Sequence, residues 1–171
     1  MFLEEITVVE TTPCLAEKHL FKGITRASVD LTELLPYLNA VVEKPNYQPN
    51  SQSLTFKNGI IGFILQGTNI NVTKFANITE LYELLDWVKD LINDIYESRS
   101  DIEPKHTARK ITPVLKIYNL LPKKNCAECG EQSCMAFAAK LNKFDAEIDD
   151  CPLLKQNEFA ELRDKLIKET E

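Results

Sequence analysis

The sequence predicts an α+β protein: a two-layer N-terminal domain, in which helices cover a small antiparallel sheet, followed by a mostly helical C-terminal module. Three observations carry this reading. Apolar residues alternate with period two in several segments before residue 75, and they take helical spacing from Ile78 to Tyr96. Beyond a charged connection, four of the five cysteines crowd into the last third of a 171-residue chain.

In chain order, residues 24–30 (ITRASVD) alternate as a half-buried strand does. Asp30 with Glu33 has the form of a capping box, and Pro36 suits the start of a short helix better than its interior. The stretch EKPNYQPNSQ reads as a loop. SLTFK, Asn58-Gly59 and IIGFIL then read as a hairpin, because Asn-Gly accepts the left-handed dihedrals of a two-residue turn. A second turn around Gln66-Gly67 leads into TNINVTKF, which completes a meander of three strands.

Asn77 and Glu80 are placed to open a helix, and the apolar positions 78, 81, 82, 85, 88, 92, 95 and 96 give it one wide face able to cover the sheet. Trp87 reads as part of that core. Residues 98–110 (SRSDIEPKHTARK), charged and nearly devoid of apolar residues, have the composition of an exposed connection. After it, Thr112-Pro113 looks like a helix cap followed by Pro at the first helical position.

Composition narrows the function. A net charge of −6 without any block of like charge fits a nucleic-acid-binding protein poorly. The N-terminus, MFLEEITVVE, carries acids where a secretory signal carries basic residues. The longest apolar run, Ile60 to Leu65, is interrupted by Gly and too short to span a bilayer, so a cytoplasmic protein without membrane partners is expected. An odd number of cysteines in such a chain argues against a disulfide framework and for metal ligation. No Gly-rich phosphate loop, G-x-S-x-G or H-E-x-x-H occurs, so an electron-transfer or binding protein is expected rather than an enzyme.

The cysteine pattern is Cys126-x2-Cys129-x4-Cys134-x16-Cys151-Pro152. Two intervening residues let the first pair curl toward one centre, and Gly130 permits the tight turn. Ser133 can cap a helix that begins at Cys134, where the positive end of the helix dipole favours a thiolate. A zinc ribbon offers two close pairs of ligands, which this spacing does not. It also differs from the bacterial and plant ferredoxin runs, and four clustered thiols suffice for one cluster only.

LPKKNCAECGEQSCMAFAAKL followed by CPLL resembles the 4Fe-4S domain of the large subunit of the corrinoid/iron-sulfur protein and of the B subunit of Rnf electron-transport complexes, whose pattern is close to LPxxNCGxCGxxTCxxFAxKL…CP. The likeness covers about residues 120–154 and includes Asn125, Gly130, Phe137 and Ala138, with Ala127 where the family has Gly and Ser133 where it has Thr. The whole chain resembles small iron-sulfur cluster proteins of anaerobes. The resemblance implies that Cys126, Cys129, Cys134 and Cys151 ligate one 4Fe-4S cluster, so residues 1–103 are expected to form an α+β domain of unknown role and residues 104–171 the cluster-binding module. It further implies one-electron transfer in anaerobic metabolism to a redox protein, a corrinoid protein among the candidates. A sensing or interaction module with a structural cluster, or zinc, is the alternative. The residues after Cys151 are too few for the barrel and cobalamin domains of the corrinoid subunit, so corrinoid binding by this chain itself is not implied.

Other residues have plainer readings. Cys14 reads as a small buried side chain, and His106 as a solvated group in the connection. His19, equally isolated, belongs to no acid–nucleophile set. Lys123, Lys124, Lys140 and Lys143 could raise a cluster's potential or guide an acidic partner, although surface lysines are usually just solvated.

Overall fold

The computed structural model describes residues 1–15, 17, 19–108, 112–143 and 145–170. Arg109 and Lys110, at the end of the expected connection, lie outside the described residues, as do Ala16 and Lys18 beside Cys14. The chain divides into two compact units, residues 1–109 and 110–171. The first is α+β and the second helical, as the sequence patterning predicts.

The first unit runs β1 (Ile6–Pro13), β2 (Phe21–Ala27), a single 3-10 turn, α1 (Leu35–Val41), β3 (Asn46–Gln48), β4 (Ser53–Asn58), β5 (Ile61–Gln66), β6 (Asn69–Phe75) and α2 (Ile78–Glu97). The six strands form one antiparallel sheet in the order β1-β2-β6-β5-β4-β3. The alternation that marks the strands sends Leu54, Phe56, Phe63, Leu65, Ile70 and Val72 to a single face. There they meet Leu35 and Leu38 of α1 and Leu81, Leu85, Val88, Ile92 and Ile95 of α2.

Asn77 caps α2, its side chain accepting from Glu80 N–H at 3.0 Å, while the Glu80 carboxylate accepts from Ala76 N–H. The helical stripe is narrower than its sequence suggests: Ile78 and Tyr82 are about half exposed, and Trp87 keeps 39% of its surface in water while its ring rests 5.3 Å from that of Phe63. Trp87 is therefore a boundary residue rather than core.

Several local readings shift. The strand expected over 24–30 lies at 21–27, because Ser28 and Asp30 are engaged outside the ladder: the Ser28 hydroxyl accepts from Glu4 and Glu5 N–H near the N-terminus, and Asp30 accepts from Thr32 N–H at 2.8 Å. Asp30 thus closes a short Asx turn instead of a capping box with Glu33. In the β4–β5 hairpin Asn58 pairs with Ile61, so the two turn residues are Gly59 (φ +59) and Ile60 rather than Asn58 and Gly59.

Two strands carried too weak a pattern to be anticipated. β1 changes register between Val8 and Glu10, a bulge that breaks its alternation. β3 is three residues long, yet it buries Tyr47. Asn93 of α2 anchors the N-terminus: its carboxamide accepts from Phe2 N–H (2.9 Å) and Leu3 N–H (2.8 Å) and donates to the Leu3 carbonyl (3.0 Å). Asn39 of α1 donates to the carbonyls of Lys105 (2.7 Å) and Thr107 (3.2 Å), tying that part of the charged connection to this unit.

The second unit comprises α3 (Val114–Asn119), α4 (Cys134–Asn142), a series of 3-10 turns between Ile148 and Phe159, and α5 (Ala160–Thr170). Pro113 occupies the N-cap of α3, one position earlier than its sequence suggests, and the Thr112 hydroxyl donates to the Glu169 carbonyl instead of capping. Ile117, Leu121, Phe137, Ala138, Leu141, Leu154 and Leu166 form the core, and Cys151 is one of its buried members. Among the described residues no helix is long and apolar enough to cross a membrane.

Candidate metal centre

The four clustered cysteines come from three local settings. Cys126 and Cys129 lie in the loop between α3 and α4, Cys134 is the first residue of α4, and Cys151 stands directly before the 3-10 turn that starts at Pro152. Despite their separation in sequence, all four line one small cavity. Leu121, Pro122, Phe137 and Leu153 form its apolar wall, and Asn125, Glu131 and Ser133 lie on its polar side. Exposure is graded: Cys151 is 5% accessible, Cys129 and Cys134 are half-buried, and Cys126 is exposed. Cys126, Cys129, Cys134 and Cys151 are free thiols.

The loop owes its shape to left-handed backbone. Lys123 (φ +58), Asn125 (φ +48), Ala127 (φ +59) and Gly130 (φ +81) all occupy positive φ, and Gly130 N–H bonds the Ala127 carbonyl at 3.0 Å. A Cβ at Gly130 would meet nothing within 4 Å, so it is backbone conformation and not space that calls for glycine there. For an L-residue the left-handed region costs about 1–2 kcal/mol. Ala127→Gly should therefore stabilise the second unit by up to about 1 kcal/mol, after allowing for the greater freedom glycine has when unfolded. Chemical denaturation followed in that unit checks this, and a loss of stability would contradict the strained backbone at Ala127.

Helix α4 begins as its sequence predicts. The Ser133 hydroxyl accepts from Ala136 N–H at 3.2 Å, and the Asn125 carboxamide oxygen accepts from Cys134 N–H at 2.9 Å. The thiol of Cys134 therefore sits at the positive end of the helix. Burial pushes the Cys151 thiol above its usual range, and the neighbouring thiols of Cys129 and Cys134 push the same way. The nearby backbone N–H groups of Leu154 and Leu153 oppose that shift. A bound cation would reverse the balance, because positive charge at the sulfurs favours thiolates in a dry site.

Four thiols are a donor set that both zinc and iron-sulfur clusters use. A tetrahedral zinc with Zn–S of about 2.3 Å needs its sulfurs within about 4 Å of one another. Among the described residues no group of three or more His, Cys, Asp or Glu side chains forms a site for a single metal ion.

The remaining candidates lie elsewhere or are engaged. Cys14 is buried in the first unit, and His19 and His106 are exposed. Lys140 pairs with Glu131, whose carboxylate holds the ammonium above the usual lysine range, and Lys123 donates to Asn119 at 3.1 Å while lying over the Tyr118 ring. The charge of Lys140 is thus balanced by Glu131, whereas Lys123 is held by neutral groups. The first unit has a groove of about 690 Å³ with Asp30, Tyr37, Tyr96 and Arg99 on its walls, but Asp30 serves the Thr32 turn and Arg99 stacks 3.8 Å over Tyr96. Sequence reasoning missed the apolar wall of the cysteine cavity and the bond made by Asn125. An asparagine in a glycine-poor loop was the available signal, since it is among the few residues that enter the left-handed region readily.

Residues 121–153 match the sequence family described as "Putative Fe-S cluster". The chain is also similar, over 52 to 54 residues, to gamma subunits of the acetyl-CoA decarbonylase/synthase complex. The subunit from Methanocaldococcus jannaschii is 50% identical over 54 residues, 32% of this chain and 11% of that subunit. Those from Methanothermobacter thermautotrophicus and Methanopyrus kandleri are 48% and 44% identical over 52 residues, each 30% of this chain and 11% of the relative. The match thus spans only about a tenth of these relatives' length. No solved structure matches the chain. Together the family and the relatives support an iron-sulfur protein.

Proposed function

We propose that Cys126, Cys129, Cys134 and Cys151 hold one 4Fe-4S cluster and that the protein passes single electrons to a protein partner in anaerobic metabolism. The observation that carries this reading is the meeting of all four thiols around one cavity, with Cys151 brought there from 17 residues beyond Cys134. When bound, such a cluster supplies a one-electron couple. Leu121, Pro122, Phe137 and Leu153 keep water from its inner side. The exposed edge at Cys126 is where a partner can approach closely. Since the relatives are subunits of a larger complex, the partner is sought among proteins of such an assembly, a corrinoid protein first.

Anaerobic reconstitution with iron and sulfide tests this. Iron and sulfide should bind in the equal amounts a single cubane requires, and the loaded protein should show a reversible one-electron couple by EPR-monitored titration. Tight binding of zinc alone, or a cluster destroyed by one-electron reduction, overturns the proposal.

One observation favours a second reading, in which the cluster is structural and its loss is the signal. Cys151 belongs to the hydrophobic core of the second unit, and Cys129 and Cys134 pack against it. In a unit this small, a metal can replace core that the chain lacks. This reading expects the unit to loosen when iron is removed while electron-transfer rates through any partner stay unaffected.

A further inference from the structure

We infer that Asn125 is a positioning residue of the cysteine site, clamping the Cys126 loop to the first turn of α4; the inference deepens the four-thiolate reading and rests on it. Cys134 N–H is among the helix-end donors that have no partner within the helix. It is satisfied by the Asn125 carboxamide oxygen, at 2.9 Å, from nine residues back in the chain. Ser133 serves the next turn position locally, through Ala136 N–H. The long-range bond is therefore the one that closes the loop, and the segment it closes, residues 125–134, holds Cys126 and Cys129 and ends on Cys134.

Asn125 is suited to this on two grounds. Its backbone sits at φ +48, between Lys123 at +58 and Ala127 at +59, and Asn is one of the few L-residues that tolerate that region. Its short carboxamide then reaches back to the helix end with an acceptor. Holding the loop there sets the separation of the exposed Cys126 thiol from the half-buried Cys134 thiol. Cys126, with the least packing around it, is the thiol most dependent on such a clamp.

Two substitutions separate the acceptor from the backbone. Asn125→Gly keeps left-handed freedom and removes the acceptor, whereas Asn125→Asp keeps an acceptor oxygen at the same reach. In the loaded full-length protein, Asn125→Gly should release iron to a chelator about tenfold faster, the weight of roughly one net hydrogen bond. Its residues 131–136 should exchange amide hydrogens faster. Asn125→Asp should stay within about twofold of the parent. If Asn125→Gly holds iron as long as the parent, the clamp is refuted while the cluster reading stands. If both variants lose iron equally fast, the acceptor is not what matters and the inference fails. If the parent itself takes up no iron and sulfide, the four-thiolate reading has failed and the clamp falls with it.

Discussion

Cys151→Ser should abolish stable iron binding and loosen residues 112–170 while leaving the sheet of residues 1–108 intact. Cys151 is the deepest of the four thiols, 5% exposed and packed in the same core as Phe137 and Leu154. It is also the one that joins the 3-10 segment to the loop and helix carrying the others. A serine hydroxyl is a poor ligand for iron that prefers soft sulfur, and left without metal it is a polar group buried among apolar neighbours. Loss of a mere supporting contact to a ligand weakens metal binding by about 10–100-fold, so removal of the ligand should exceed about 100-fold. Iron per chain after gel filtration, with hydrogen exchange mapped over both units, reads this out. A serine variant that keeps the parent's full iron and sulfide would remove Cys151 from the site.

Phe137→Ala should unfold the second unit without touching a single thiol. Phe137 is 2% exposed, lies one turn into α4, and packs in the core while forming a wall of the cysteine cavity. Truncating a buried phenylalanine costs about 3–5 kcal/mol. At the usual stability per residue, a unit of roughly 60 residues commands about 3–9 kcal/mol in total, so the change removes much or all of it. The first unit, whose core is built on Phe63, Phe75 and the α2 stripe, should melt as before. Calorimetry should show one transition retained and the other lost or shifted strongly downward. Iron and sulfide should restore part of the loss, because a ligand that binds the folded form alone stabilises it by mass action. An unchanged pair of transitions would show that Phe137 carries little of this core.

Much of the fold was legible because its signals act over a few residues. Asn77 and Glu80, Ser133 before Cys134, and the alternation of SLTFK and TNINVTKF are all choices made between near neighbours, and all appear in the structure. The misreadings lie where two local options were close in energy. Asp30 could cap a helix or close an Asx turn, and the hairpin could center its two-residue turn on Asn58-Gly59 or on Gly59-Ile60. Cross-strand pairing of Asn58 with Ile61 decided the second case. β1 was missed because a bulge breaks its period, and β3 because three residues make no period.

The chemistry of the site was written in the chain: four thiols, a helix start placed at Cys134, and a Cys-Pro ending, whose soft donors and spacing limit what can bind. Which of those thiols is deep and which is open, the strand order β1-β2-β6-β5-β4-β3, and the reach of Asn125 to Cys134 were decided only on folding. The reason is one of range. Caps, turns and ligand spacing are energies between residues close in sequence, whereas bringing residue 151 to the loop depends on the summed packing of Ile117, Phe137, Leu154 and Leu166, no one of which marks its partner in the sequence.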